Sequence, residues 1–385
     1  MKPFDVAIIG AGPAGSSAAI HLARKGYSVA LLDKGQFPRE KLCGDFLNPI
    51  NWPLLCELEV EREVLSRSHE KVTTFRFTSF SGEEAEVPLS RSKDGTAFGL
   101  GLRRFDLDDV LLKKAESEGA KDLQGCKLIE LKPESQSWLL RFDRPGVIEE
   151  LQARVLIGAD GRNSWVAHRL GMAGSATMQG RTVGFQLRLR CSKSVAGNVE
   201  IHLFPGGYAG IVGLDGDTVN LCLAVDKARL QHHRSLGRLM EHCLCLNPHL
   251  AAILRDSEPV GDARSVYPVY FSPRRSYGHR VLLVGDAARV NEPVTGEGIY
   301  FALKSGALAA RAIDQAFHKG DLSAHQLCSY QRECRSAFRA RRGINALIRW
   351  LIYRPALLSP LIRVADKRTR LLDSIVHTIC TASSR

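Results

Sequence analysis

The chain has 385 residues, 44% of them hydrophobic, enough to bury the cores of two closely joined domains. No apolar run reaches the roughly 20 residues of a bilayer span, and the N-terminus enters an apolar run at once, so neither a membrane-spanning segment nor a signal peptide is expected. The net charge is +12, but no stacking-aromatic motif or known recognition fold accompanies it, which argues against nucleic-acid binding. The ten cysteines have no metal-ligand spacing, with Cys243-Leu244-Cys245 the one close pair. They read as reduced cytosolic thiols, mostly buried, and no metal site is expected.

In chain order, Val6–Ile9 is a short buried-strand run, followed by Gly10-Ala11-Gly12-Pro13-Ala14-Gly15 and a helical stretch from Ser16 to Arg24. Gly10 permits a tight turn, Gly12 lets backbone approach a pyrophosphate, and Gly15 lets helix pack on strand. The helix start offers free N–H groups and a positive dipole end to phosphates. A second strand, Ser28–Leu32, ends at Asp33, whose carboxylate can accept from ribose hydroxyls, with Lys34 next to it. Strands are expected at Thr73–Phe80, Ala85–Leu89, Thr182–Leu189 and Val199–Phe204, and a hairpin at Tyr208–Leu214 and Thr218–Val225 around Asp215-Gly216-Asp217. Leu230–Leu254 reads as helical and polar enough to lie outside.

Far downstream the strand-like Val281–Val284 precedes Gly285-Asp286-Ala287-Ala288. Pro293 then stops a segment, and Gly296 and Gly298 open a helix through Ala302, Leu303 and Ala307. Two distant glycine-rich turns, each after an apolar run, suggest two pieces of chain closing on one extended cofactor.

These residues resemble the FAD-binding motifs of the flavoprotein superfamily that holds para-hydroxybenzoate hydroxylase-like monooxygenases, geranylgeranyl reductases and flavin-dependent halogenases. Leu156-Ile157-Gly158-Ala159-Asp160-Gly161 is similar to the family's Gly-Ala-Asp-Gly segment, and Arg104 with Leu107-Asp108 and Leu111 to its Arg-x-x-Leu-Asp-x-x-Leu helix start. Arg103 is an equally basic neighbour; spacing selects Arg104. Pro38-Arg39-Glu40-Lys41-Leu42-Cys43-Gly44 resembles the Lys-x-Cys-Gly loop of the reductases, whose cysteine faces the flavin.

The resemblance implies an α/β (α+β overall) fold: a discontinuous Rossmann-like FAD-binding domain (1–50, 100–175, 275–335), an inserted mixed β-sheet substrate domain (51–99, 176–274) and C-terminal helices (336–385). It implies FAD held by Gly10, Gly12, Pro13, Ala14, Gly15, Asp33, Lys34, Arg39, Cys43, Gly44, Arg104, Asp160, Gly161, Gly285, Asp286, Pro293, Gly296, Glu297, Gly298 and Ile299. With no second nucleotide fingerprint in mid-chain, NAD(P)H would bind transiently near the flavin.

Two enzymatic readings compete, both on a hydrophobic small molecule. Thr295-Gly296-Glu297-Gly298-Ile299 and the Cys43 loop lean towards a reductase of prenyl or polyketide C=C bonds. The reductases' Pro-x-x-Tyr-x-Trp-x-Phe-Pro segment keeps Pro205 and Tyr208 here but has Gly210, Val212 and Gly213 for Trp, Phe and Pro. Losing an indole removes a large wall of the pocket, which tips the reading narrowly to a monooxygenase acting on a lipophilic or aromatic substrate. The halogenases' Trp-x-Trp-x-Ile-Pro segment is absent, and the intact motifs argue against a flavin-free escort protein. Catalytic candidates are Cys43, as site-shaping group or proton donor, and Tyr208, as hydrogen-bond donor; Glu297 is a candidate base.

The last fifty residues hold ten Lys/Arg and two Asp, with an apolar stripe of Ile344, Leu347, Ile348, Leu351 and Ile352 at helical spacing. One reading rests this helix on an anionic membrane, with Arg341, Arg342, Arg349 and Arg354 at the headgroups. The favoured one packs its apolar face on the catalytic body of a cytoplasmic protein.

Overall fold

The computed structural model describes residues 3–89, 98–174, 182–191, 195–232, 237–238, 244–290, 292–354, 357, 362 and 369–381. Five runs form a parallel sheet core in the order Val281–Leu283, Val147–Gly158, Phe4–Ile9, Val29–Asp33 and Lys121–Gln124. Val6, Ala7, Ile8, Leu31 and Leu282 are fully buried, as expected of parallel strands covered on both faces. Tyr277–Gly278 adds an antiparallel edge, and the ribbon Lys127–Pro133/Trp138–Arg144 extends the Val147–Gly158 strand.

The register matters for the site. Ile9 lies beside Gly158 and Leu32, and Gly158 beside Leu283. The turns that follow, starting at Gly10, Asp33, Ala159 and Val284, therefore gather at one carboxyl edge, where ligands of open α/β sheets bind. The chain's two ends are clamped there: helix Gly298–His318 crosses helix Pro13–Ala23, and Ser17 Oγ donates to the Leu303 carbonyl at 2.8 Å. Gly306 makes this possible, since a Cβ there would stand 2.4 Å from the Ala14 oxygen.

A second, seven-stranded sheet runs Ser257–Val266, Thr182–Cys191, Thr218–Asp226, Gly207–Asp215, Asn198–Phe204, Thr74–Thr78, Glu84–Pro88. It is antiparallel except where Asn198–Phe204 meets Thr74–Thr78, so it is mixed. One face buries Phe204, Ala209, Ile211, Leu221 and Leu223 under Leu250 and Ile253; the other looks towards the cofactor-side loops. The expected strands and hairpin form within a residue or two of the expected ends. Ser257–Val266 is an unexpected strand. It is polar and mostly exposed, an edge strand held by its backbone ladder to Thr182–Cys191, so no apolar alternation marks it.

The stretch expected to be helical over Leu230–Leu254 is helical in separate pieces. Described pieces are Lys227–His232, a short 3-10 turn at Leu244–Leu246 and helix Pro248–Arg255; 233–236 and 239–243, with Cys243, lie outside the described residues. Asn247 starts the last piece by accepting from the His249 and Leu250 N–H groups, with Pro248 at the first helical position.

At the C-terminal end stand helices Ala324–Ala337, Arg339–Ile352 and Thr369–Cys380. Ile344 and Ile348 pack on the body and Ile352 is buried, but Leu347 is 54% exposed, which corrects its assignment to the core. Arg341, placed at headgroups in the membrane reading, is instead 3% exposed. The cysteines are less buried than expected. Of nine described, none in a disulfide, Cys126, Cys191, Cys334 and Cys380 are buried, Cys43, Cys222 and Cys328 half-buried, and Cys56 and Cys245 exposed. Among the described residues no helix is long and apolar enough to cross a membrane.

Candidate functional site

The glycines at the carboxyl edge separate into two kinds. A Cβ on Gly10 would lie 2.4 Å from the Ala159 oxygen, and one on Gly15 1.9 Å from the Gly10 oxygen, so both serve packing of strand, turn and helix. Gly10 also has φ +107°, a region that favours glycine. Gly12 differs: a Cβ there would find only Arg104 Nη2, at 3.9 Å. The helix behind it, Pro13–Ala23, has no side-chain cap. Its first-turn N–H groups face an open cradle shaped for phosphate. The late turn closes over it, with Gly285 (φ +55°) so near that a Cβ would stand 2.8 Å from the Ala14 Cβ.

Around this cradle the expected residues divide. Asp33 ends its strand and accepts from Ala11 N (2.9 Å), Gly35 N (2.9 Å) and Arg39 Nη2 (3.0 Å). Arg39 also approaches Asp108 at 3.8 Å, while Lys34 is exposed to solvent. Arg104 pairs with Asp108 through two bonds of 2.6 and 2.8 Å and lies over Gly12, whereas Arg103 turns away to Asp215. Asp286 is half-exposed, 3.6 Å from Arg162. Asp160 does not face the cleft with its carboxylate: Ser164 Oγ and Val166 N donate to its two oxygens at 2.5 and 3.1 Å, fixing the start of helix Trp165–Arg169. A Cβ on Gly161 (φ +81°) would meet Lys41 Nζ at 3.6 Å.

The two remaining loops meet. Asn48 Nδ2 donates to the Thr295 oxygen at 3.3 Å, and the Phe46 ring lies on Gly296, which takes φ +64° after the Pro293–Thr295 turn. Gly298 opens the long helix with no atom within 4 Å of a notional Cβ, and the Ile299 side chain is buried in the core. Glu297 is not a free base. Its carboxylate meets Arg341 Nη1 at 2.5 Å with both groups almost fully buried, and Arg341 also donates to the carbonyls of Ile379 and Thr381. The cofactor-side loop is thereby tied to the C-terminal helices.

Above these loops the second sheet brings a cluster that the sequence reading missed. Asp45, fully buried and at φ +52°, accepts from Arg104 N (3.1 Å) and Gln186 Nε2 (3.2 Å), with Arg188 at 3.6 Å. Burial raises its pKa to about 7. The Cys43 carbonyl accepts from Asn220 Nδ2 (3.0 Å) and Cys222 Sγ (3.1 Å), and burial pushes the Cys43 thiol pKa up. Cys43 is thus held as a neutral thiol, while Gly44 is exposed.

Beside them Tyr208 donates to Glu292 Oε1 at 2.7 Å, and the Tyr353 hydroxyl lies 3.5 Å from the same oxygen. Glu292 Oε2 is buried without a hydrogen-bond partner, and burial raises the carboxyl pKa. The surroundings are apolar: Ile201, Leu203, Ala224, Val294 and Ile352. The sequence held one signal for Glu292, an acid directly before Pro293 in an apolar turn. Tyr353 lay in a segment read only for its apolar stripe.

The vanished Trp and Pro do not simply open the pocket. At Gly213 a Cβ would meet Glu70 Cγ at 3.1 Å and Val195 Cγ2 at 3.8 Å, so that place is taken. At Gly210 a Cβ would meet only Ile201 Cδ1, at 3.7 Å, so space remains there alone.

Comparison with known proteins agrees with this geometry. Residues 3–212 match the family described as FAD binding domain. The chain is 30% identical over 319 residues to menaquinone reductase of Mycobacterium tuberculosis, covering 80% of this chain and 76% of that protein. It is 28% identical over 345 residues to digeranylgeranylglycerophospholipid reductase 1 of Methanothermobacter thermautotrophicus (86% and 82%). To the conditioned medium factor receptor 1 of Dictyostelium discoideum it is 28% identical over 388 residues (95% and 74%). In fold it matches the flavin-dependent brominase Bmp2, with TM-score 0.77 at 22% identity, covering 98% of this chain and 94% of that one.

The fold and cleft define an FAD-binding flavoprotein. The chain belongs to the family described as FAD binding domain and is an FAD-dependent oxidoreductase.

Proposed function

We propose that this enzyme reduces a C=C bond in a prenyl-type chain of a hydrophobic substrate. The observation that carries this reading is Glu292: a buried carboxyl, held towards its protonated form, with one oxygen unpartnered and the other bonded to Tyr208, next to the Pro293–Ile299 loop. The open cradle at Gly12, the uncapped helix start, Asp33 with Arg39, Arg104 and Asp286 would hold FAD. Bound and reduced, the flavin supplies a hydride to one alkene carbon.

The chain's own task is then to deliver a proton to the other carbon and keep water out. Glu292 holds that proton, Tyr208 fixes the carboxyl and Tyr353 backs it. Val294, Ile201 and Leu203 form apolar walls that raise the carboxyl pKa and accommodate an isoprenoid chain. Cys43 and Asp45 shape the neighbouring floor. Two relatives, a menaquinone reductase and a digeranylgeranylglycerophospholipid reductase, support this substrate class. NAD(P)H, docking transiently, is the proposed reductant. The exposed face with Leu347, Trp350 and Arg354 supports contact with the membrane that carries such substrates.

A monooxygenase is the second reading, favoured by the space at Gly210. Incubating the FAD-loaded, dithionite-reduced protein with detergent-solubilised menaquinone, with and without labelled O2, separates the two by product mass. A product that keeps two added hydrogens after its quinone head is reoxidised in air, and carries no oxygen label, supports C=C reduction; one that forms only with O2 and carries its label establishes oxygenation.

A further inference from the structure

A second pocket, of about 220 Å³, lies on the outer side of the late glycine turn, between that turn and helices Gly298–His318 and Ala324–Ala337. Gly285 apart, none of its lining residues belongs to the cofactor set. Arg274, Arg275, Arg289 and Arg335 line it, with Phe301 and Phe338 as an aromatic wall whose rings meet edge-on at 4.7 Å. No carboxylate lines it. Among the described residues none of the four arginines has an acidic partner within 4.0 Å, and the nearby Glu333 is engaged by Arg311 at 2.5 Å.

Four guanidiniums around one cavity, with only Asp160 and Asp286 near Arg274, repel one another unless an anion joins them. Arg289 shows this most clearly: its Nη1 is buried with no hydrogen-bond partner, and its guanidinium stands 5.9 Å over the Phe338 ring. Burial, and Arg342 on the next helix, lower its pKa. An incoming anion would supply the bond that Nη1 lacks. Arg274 is oriented by its bonds to the Ala287 and Arg162 carbonyls and leaves Nε buried and unpartnered.

We propose that this pocket binds a phosphate ester carrying a small ring or apolar group. The phosphate would sit in the fork of Arg289 with Arg335 and Arg275 closing on it, and the attached group would lie on Phe301 and Phe338. The pocket is smaller than the ~300–1,000 Å³ of sites for whole drug-sized ligands, so a single phosphorylated headgroup or metabolite fits it and a dinucleotide does not. Such a ligand would brace the Gly285 turn from behind, independently of the reaction in front of it.

Phenyl phosphate is the probe, titrated calorimetrically into the FAD-loaded protein. Saturable binding is expected, weakened at least tenfold in Arg289→Gln and several-fold in Arg335→Gln, an exposed position where folding is not at risk, with flavin content unchanged in both. Phosphatidylcholine vesicles with and without phosphatidic acid identify the source. Capture by the acidic vesicles that is released by phenyl phosphate and lost in Arg289→Gln marks a lipid headgroup; phenyl phosphate binding without such capture marks a free phosphate ester. The absence of saturable binding, or equal affinity in wild type and both variants, overturns the proposal.

Discussion

The cofactor cleft and the chamber above it are built in different ways. The cleft is backbone: Gly10, Gly12, Gly15, Gly285 and Gly296 act through what they lack, and each sits at a turn that its neighbours in sequence define. The chamber is side chains: Asp45, Tyr208, Glu292 and Tyr353 come from four segments and acquire meaning only when folded. A site made by backbone is sensitive to any added atom, whereas a site made by side chains tolerates shape changes and responds to charge.

The sharpest way to break this contrast is within the cleft. Gly12→Val should abolish flavin binding yet leave the circular dichroism spectrum native, because its Cβ points into open space. Gly15→Val should lose both flavin and fold, because its Cβ would collide with the Gly10 oxygen. Equal behaviour of the two would show that the cradle at Gly12 is misassigned.

The tie between cleft and C-terminal helices comes next. Arg341→Met leaves Glu297 buried without its cation, which should cost about 3–5 kcal/mol, read as a lower urea midpoint. Loss of liposome binding with no change in stability would instead revive the headgroup role for Arg341.

Within the chamber, Asp45 makes stability depend on pH. Its folded pKa of about 7 lies above the usual 3.8, so the native state holds the proton more tightly. Its contribution is full below about pH 4 and is lost as pH rises through 7, by up to about 4 kcal/mol. Asp45→Asn should flatten that slope in denaturation curves taken from pH 4 to 8. An unchanged slope would mean that Asp45 titrates normally.

The smallest effects concern the reaction. Glu292→Gln should slow product formation about a hundredfold with FAD retained, and Tyr208→Phe about tenfold, both measured as initial rates of product formation. Cys43→Ser should change the rate less than either, since the thiol is held neutral beside Arg104. A larger loss in Cys43→Ser than in Glu292→Gln would move the proton source to the cysteine.

How much was legible in the sequence follows the same division. The parallel strands, both glycine turns, the hairpin and the choice of Arg104 over Arg103 could be read because each depends on local residue types and spacing. Glu297 was misread because nothing near it in sequence shows Arg341, 44 positions away, arriving to neutralise it. The place of the lost Pro at Gly213 is taken for a similar reason, by Glu70 and Val195 from elsewhere in the chain. Asp45 was overlooked although it directly follows Cys43-Gly44, because its strained φ and its burial appear only in three dimensions.

The central claim, a proton-donating chamber over an FAD cleft, is tested most directly without oxygen. Reduced, FAD-loaded wild type and Glu292→Gln are each mixed anaerobically with solubilised menaquinol, whose quinone head is already reduced, while flavin reoxidation is followed by absorbance. The account predicts substrate-dependent reoxidation in the wild type, about a hundredfold slower in the variant. Reduced flavin that persists in both until oxygen is admitted would contradict it.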